Sequence, residues 1–565
     1  MAQKSPLNIE QALYFSIFLL ALALRTSGLG ASPLNELEAQ VALPAHALAQ
    51  GESPALGDQP GYVVLTSPLF SLLGSRDFLA RLWPALFGCA LVLLPYFWRD
   101  LFGRKTALLL CLALAIDPGM LAISRLASGR MLALVGACIA LTAWKRGRFA
   151  LAGGFAALAI LSNSSIYLGL SAALLVWLLF FRASIRIERK AVQSTLLAAG
   201  AILIFGGTLF FRAPQGLSGL GTVFSAFLQG WGLASDVSAV QILLALLAYS
   251  LPALIFAILA AVRTWSRRES TEKTLSLFAL FSFVIILVYP GRQVADLIWV
   301  LLPLWALAAL EISRYLHLPQ REKAAAFGQS GLMLLLLIFL GQMLAKQSLA
   351  DPGSELARFY LLLAGGVILL GAIATVLIAF GWSRQAASSG LVWALGFFFS
   401  IFLLSASMRF ARGAAATAND LWLPGGRAGQ PRLLLSSLSD LTAWETGQLQ
   451  ELPVDLRVES AALRWELRNL PEEISSESGA APALIITLAE DSQPAEAISY
   501  RGQSFALEVQ RAWGGWPPNF FRWLLFRQAP TLTQQAILWA RPDLFPDGDL
   551  SSQIDTDAGS ASESP

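Results

Sequence analysis

Few residues of this 565-residue chain combine a reactive side chain with a setting where it could act. The segment SPLNELEAQVALPAHALAQG, Ser32 to Gly51, carries Glu36 and Glu38, and His46 follows, one of only two histidines in the chain. A carboxylate or imidazole held near an incoming hydroxyl can take its proton. Pro44 breaks the helical register between Glu38 and His46, so the spacing alone does not pair them. A second group lies in AIDPGMLAISRLASGRMLAL, residues 115–134, with Asp117, Arg125 and Arg130. A third, YPGRQVADLIWVLLPL, residues 289–304, holds Arg292 and Asp296. Arginines at such places either snorkel to lipid headgroups or grip a phosphate.

These groups are set in an apolar chain. It is 56% hydrophobic and 14% charged, with a mean hydropathy of +0.61, where a soluble domain is about 25% charged. Such a chain needs lipid as its solvent. The three cysteines, Cys89, Cys111 and Cys138, all fall in apolar runs without metal-ligand spacing and read as small buried hydrophobes. Apolar runs near 8–25, 79–98, 106–122, 126–144, 149–162, 166–181, 195–211, 240–262, 274–290, 294–311, 327–345, 359–381 and 388–408 predict about thirteen spans, or eleven to thirteen allowing for short ones. The first run reads as an uncleaved signal-anchor.

Basic residues fall on alternate connections. Arg99, Arg104 and Lys105 follow span two; Lys145, Arg146 and Arg148 follow span four; Arg182, Arg186, Arg189 and Lys190 follow span six. The pattern continues with Arg263, Arg267, Arg268 and Lys273, then Arg314, Arg321 and Lys323, then Arg384. By the positive-inside rule the N-terminus is cytoplasmic, and residues 26–78 and everything past about 409 are outside. The expected protein is therefore a polytopic α-helical membrane protein of the plasma membrane with a C-terminal extracytoplasmic α/β domain. Its expected divisions are a membrane domain over 1–411, a linker over 412–430, an α/β domain over 431–548 and a disordered tail over 549–565. Within the α/β part, residues 483–491 and 534–545 predict strands. Residues 517–530 predict an amphipathic helix, either on the membrane surface or packed in a core. Glu490 and Asp491, at a strand end, read as surface carboxylates. No charge falls near the middle of a span, and no matching halves contain broken helices, which argues against a proton-coupled transporter. Nothing points to nucleic acid.

The residues from about 9 to 180 also carry an ordered set of motifs. LALALRTSGLGASPLNELEAQVAL, then SPLFSLLG and DFLARLWPALFGCALVLLPYFWRDLFGRKTALLLCLALAIDPGMLAISR, then AGGFAALAILSNSSIYLGL resemble the opening of the GT-C glycosyltransferases that use lipid-linked sugars. That family includes the protein mannosyltransferases and the aminoarabinose transferases. The resemblance implies a polyprenyl-phosphate sugar donor, an extracytoplasmic glycan, lipid or protein acceptor, and inverting transfer. It places Glu38, with Glu36 beside it, as the catalytic carboxylate, and leaves Leu37 where the family's Asp stands. It casts Arg125, Arg130 and Arg292 as ligands of the donor phosphate, with His46, Asp117 and Asp296 as accessory groups. Gly129 and Arg130 stand where the family's second acidic residue often appears. The cofactor to look for is a divalent cation. Two other readings stay open: a GT-C-shaped binding or assembly protein without catalysis, and a carrier of lipid-linked oligosaccharide.

Overall fold

The computed structural model describes residues 9–180, 189–209, 211, 218–267, 270–351, 353–412, 417–423, 425–445, 454–469, 482–491 and 500–545. Arg182, Arg186 and Arg268 of the basic pattern, and the expected tail 549–565, lie outside them. The chain forms two compact units. One contains residues up to Ser32, Pro44–Pro424 and Trp513–Ala529; the other contains Pro33–Leu43, Gly425–Ala512 and the residues from Pro530. The serial division expected from composition is thus interleaved twice: a piece of the first loop joins the second unit, and a piece of the C-terminal part joins the first.

The first unit is helical. Its elements begin with α1 (Ile9–Thr26), α2 (Glu36–Gln50, whose first residues belong to the other unit), α3 (Pro60–Leu73), α4 (Asp77–Phe97) and the single turn α5 (Arg99–Phe102). Next come α6 (Arg104–Ile116), α7 (Pro118–Ser124), α8 (Arg130–Lys145), α9 (Phe149–Ser162), α10 (Ile166–Phe180), α11 (Arg189–Ala201) and α12 (Gly219–Gln229). The last long helices are α13 (Ala239–Arg267), α14 (Ser270–Val288), α15 (Ile298–Arg314), α16 (Gln320–Leu349), α17 (Glu355–Gly381) and α18 (Arg384–Ala411). Pro44 does not end α2, which runs through it.

Helices occupy the thirteen expected positions, but their lengths differ. Among the described residues, eight are long and apolar enough to cross a membrane, or nine if the bent pair α6–α7 counts as one span. The runs read as spans at 126–144, 149–162, 166–181 and 195–211 form α8, α9, α10 and α11, of 16, 14, 15 and 13 residues. A straight crossing needs about 20 residues. The runs at 149–162 and 166–181 coincide with α9 and α10, which are themselves short, and the 195–211 run continues past α11 as a π-helical turn over Ile202–Gly206.

Two breaks shape the bundle. α6 and α7 meet at 60° where Asp117-Pro118 interrupts the helix. Proline leaves the preceding turn unbonded, and Asp117 caps the new helix by accepting from Met120 N at 2.7 Å. α13 kinks at Ser250 (φ −128°, ψ 25°), two residues before Pro252. Ser250 Oγ then donates to Asp117 Oδ2 at 3.0 Å, and Trp305 Nε1 donates to the same oxygen at 2.8 Å. The fully buried Asp117 therefore ties both breaks to α15, which is the most enclosed of the candidate spans.

Contacts between connections reproduce the two-sidedness read from charge. Connections expected inside touch one another: Lys105 Nζ lies 3.0 Å from His317 Nε2, Gln385 Nε2 donates to His317 O, and Arg146 reaches Phe97 O. Connections expected outside do the same. Gly129 N donates to Gln59 Oε1, Arg130 reaches the 293–296 turn, and Arg292 Nε donates to Val237 O.

The second unit is built on a five-stranded sheet in the order β1-β4-β5-β3-β2, with β1 (Arg427–Ala428), β2 (Val454–Leu456), β3 (Leu484–Leu488), β4 (Arg501–Arg511) and β5 (Thr531–Ala540). Only β2 and β3 run parallel. The buried apolar run of β3 is the expected strand. β5 ends before Pro542, which cannot donate to a ladder and instead opens a 3-10 turn. Leu434 and Leu438 of α19 (Pro431–Glu445) and Leu463 of α20 (Ala461–Leu467) cover the sheet core. The helix expected within 517–530 is α21 (Phe520–Phe526). It packs into the core of the helical unit, where Trp523 is fully buried and donates to Asn419 O at 3.0 Å. Beside it Arg527 is buried against Asp420, 3.3 Å from its Oδ1. Burial lowers the affinity of Arg527 for its proton, and Tyr249 and Asp420 restore part of it.

Candidate functional site

Four connections that the charge pattern reads as outer meet at one end of the helical unit. Their centre is Arg130, at the first turn of α8. A cation there opposes the helix dipole and needs an anion nearby. Asp296 supplies it: Arg130 Nε donates to Asp296 Oδ1 at 3.1 Å, and Arg130 Nη2 donates to Gln293 Oε1 at 2.7 Å. Asp296 is itself fixed by a capping box with Gln293, accepting from Gln293 N at 2.8 Å. The residue before Arg130 must be glycine. A Cβ on Gly129 would lie 1.8 Å from Ser162 O, so only glycine lets the 128–130 link rest on the end of α9. Gln59, 6% exposed, accepts from Gly129 N at 2.7 Å. Arg130 and Asp296 are the expected residues that the structure brings together.

The other two expected phosphate ligands grip backbone instead. Arg125 donates to Leu24 O, Arg25 O and Ser27 O at the end of α1 and to Ala411 O at the end of α18, at 2.8–3.1 Å. Arg292 donates to Val237 O and, at the end of α14, to Leu287 O and Tyr289 O. Carbonyls at a helix C-terminus lack intrahelical partners, and a guanidinium supplies several donors at once. Arg25, the arginine that ends the first apolar run, does the same work on Leu114 O and Ala115 O at the end of α6.

The carboxylates of the first loop belong to the second unit. Asn35 and Glu38 form a reciprocal cap at the start of α2: Asn35 N donates to Glu38 Oε2 at 3.2 Å, and Glu38 N to Asn35 Oδ1 at 3.0 Å. The Asn-x-x-Glu spacing in NELE is itself a signature of that motif. Glu38 is 4% exposed. Glu36 accepts from Ser460 Oγ, Ala461 N and Ala462 N at 2.7–3.0 Å, at the start of α20. It also borders a cleft of about 210 Å³ shared with Glu459, Ser460, Glu508 and Gln534. Burial pushes the Glu508 carboxyl above its ordinary range; a bond from Gln510 opposes this and the charge of Glu36 adds to it. His46 Nδ1 lies 2.7 Å from Ser75 Oγ. Among the described residues no three His, Cys, Asp or Glu side chains are grouped to hold a metal.

No protein-family model and no curated protein matches the sequence. Solved structures do match the fold. The crystal structure of ArnT from Cupriavidus metallidurans bound to undecaprenyl phosphate superposes with a TM-score of 0.54 at 15% identity, covering 85% of this chain and 92% of that one. The apo form of the same protein gives 0.50 at 15% identity, covering 84% and 92%. The likeness runs well past residue 180, where the motif resemblance stops, and takes in most of both chains. The fold implied by that resemblance, the GT-C membrane fold of ArnT, is the fold of this chain.

Proposed function

We propose that the chain is a membrane glycosyltransferase that moves a sugar from a polyprenyl-phosphate donor to an acceptor hydroxyl on the extracytoplasmic side of the plasma membrane. The observation that carries this reading is the likeness to ArnT over nearly the whole length of both proteins, one of whose structures holds undecaprenyl phosphate. In this reading the lipid tail lies along the apolar helices and the phosphate sits at the outer connections. Arg130 neutralises the phosphate, and Asp296 and Gln293 orient its guanidinium. The acceptor oxygen bonds to the anomeric carbon as the bond to the phosphate oxygen breaks, with inversion. Glu38 takes the acceptor's proton, with Glu36 as the second carboxylate for that role. The second unit selects the acceptor.

One observation favours a second reading. Glu36, Glu38, Arg125, Arg130 and Arg292 each make intramolecular hydrogen bonds. A GT-C-shaped protein kept for binding or assembly would look the same. Membrane vesicles carrying the full chain separate the two. Transferase activity predicts loss of endogenous polyprenyl-phosphate sugars and release of polyprenyl phosphate, measured by mass spectrometry. It also predicts a fall of about 100-fold or more in the Glu36→Gln, Glu38→Gln double variant. Turnover unchanged in that variant removes both glutamates from the mechanism. Vesicles that retain lipid-linked sugar without consuming it support the binding protein.

A further inference from the structure

Three buried polar side chains at the outer end of the bundle take no part in the contacts described above. Asn163, Ser165 and Trp299 are 0%, 5% and 5% exposed. Asn163 Nδ2, Ser165 Oγ and Trp299 Nε1 have no hydrogen-bond partner. Buried polar atoms are seldom left this way, and each instance calls for an explanation.

The local structure shows how they are held. α9 ends at Ser162, and Asn163 leaves it extended (φ −167°, ψ 145°). Asn163 Oδ1 accepts from Ser165 N at 2.9 Å, a local turn that satisfies the amide oxygen and leaves the amide nitrogen without a partner. Ser165 immediately precedes α10. One turn along α10, Gly169 lies against the Trp299 ring, where a Cβ would come within 2.4 Å of Trp299 Cε3. Trp299 follows the Asp296 turn on α15, and Gly129 rests on Ser162. Asn163 thus follows the residue on which Gly129 rests, and Trp299 lies three residues past Asp296.

The chemistry of the three donors differs from that of the Arg130–Asp296 pair. Arg130 already has its counter-charge in Asp296. The groups left over are neutral: an amide N–H, a hydroxyl and an indole N–H. A phosphate is best held by unmatched positive charge. Neutral donors suit neutral acceptors, and a site built to bond hydroxyls discriminates strongly against a ligand without them.

We infer that Asn163, Ser165 and Trp299 form a subsite that binds the hydroxyl and ring oxygens of a sugar, carried by the lipid donor, and not the donor's phosphate. This rests on the donor class proposed above. The atoms are enclosed, so sugar entry requires the three-residue link between α9 and α10 to shift.

The test uses the full-length chain in detergent, native mass spectrometry, and two probes: undecaprenyl phosphate and undecaprenyl phosphate carrying glucose. The wild-type chain should bind the glucosylated lipid more tightly. Ser165→Ala, Asn163→Asp and Trp299→Phe should each weaken the glucosylated lipid about 5- to 10-fold, and the bare lipid less than about twofold. Equal losses for both lipids would indicate a phosphate-binding or purely structural role and overturn the inference. So would unchanged binding of both lipids in all three variants. If the wild-type chain binds neither lipid, the donor class itself falls. Competition by free maltotriose, lost in the same variants, would keep the sugar chemistry and move its source from donor to acceptor.

Discussion

Two clusters of buried polar groups in the helical unit are built in opposite ways. At the end that the charge pattern reads as inner, Glu311 is fully buried and Glu272 nearly so. Arg263 and Arg314 both bind Glu311, at 2.8 Å each, and Arg314 also binds Glu272 at 2.6 Å. Tyr315 and Thr264 complete the carboxylates. Two acids meet two arginines, and all four carboxylate oxygens are bonded. At the end that the charge pattern reads as outer, the pair Arg130–Asp296 is also matched, while Asn163, Ser165 and Trp299 each keep a buried donor atom without a partner. A closed network fastens α13, α14 and α15 together.

The contrast can be broken most readily at its closed end. Glu311→Ala leaves Arg263 and Arg314 without their shared partner and should cost about 3–5 kcal/mol of stability, read by thermal unfolding in detergent. A loss below about 1 kcal/mol would mean that the inner network is not a fastening. Next in size, Arg125→Ala removes several carbonyl caps and should cost about 2–3 kcal/mol, with undecaprenyl phosphate binding by the remaining folded protein unchanged. A tenfold loss of lipid affinity at unchanged stability would make Arg125 a phosphate ligand after all. At the outer end, Arg130→Ala should weaken undecaprenyl phosphate by about tenfold, and Asp296→Asn, which removes the competing anion, should strengthen it by about threefold. Both changes are read by the same binding assay, and matching losses in the two variants would show that the pair only braces the fold.

The smallest effect extends the rule to the α/β unit. Glu508 Oε1 is buried without a partner, and burial raises that carboxyl's pKa in the folded protein. The folded state therefore holds the proton more tightly than the unfolded chain does. Glu508 is tolerated best at acid pH, and its cost appears as pH rises through the unfolded and then the folded carboxyl range. Glu508→Gln should raise the unfolding temperature of this unit by about 1 °C near pH 7 and leave it unchanged near pH 4. The reverse pattern would show that the charged form has a partner in solution.

Much of the frame was legible in the sequence. Apolar runs located the helices, and Arg and Lys on alternate connections sorted those connections into two groups that the contacts reproduce. Asp117-Pro118 announced a break. What the sequence could not show was how each cation is used. Arg125, Arg130 and Arg292 look alike as letters beside apolar runs. Arg125 meets helix-end carbonyls from distant segments, Arg292 meets the end of its own preceding helix and Val237 O, and Arg130 meets a carboxylate from residue 296, because tertiary packing decides which partner arrives. Asn35 and Glu38 were readable as a cap from their spacing alone. The interleaving of Pro33–Leu43 and Trp513–Ala529 between the units had no local signal, since it depends on contacts such as Trp523 with Asn419. Asn163 and Ser165 were visible only as a polar break between two apolar runs.

The central claim is that this chain consumes a polyprenyl-phosphate sugar. The most direct measurement is mass spectrometry of the lipid extract from cells that lack the chain, compared with the same cells complemented by it. The account predicts that a polyprenyl-phosphate sugar accumulates without the chain and returns to its normal level on complementation. A lipid profile identical in the two strains would contradict it.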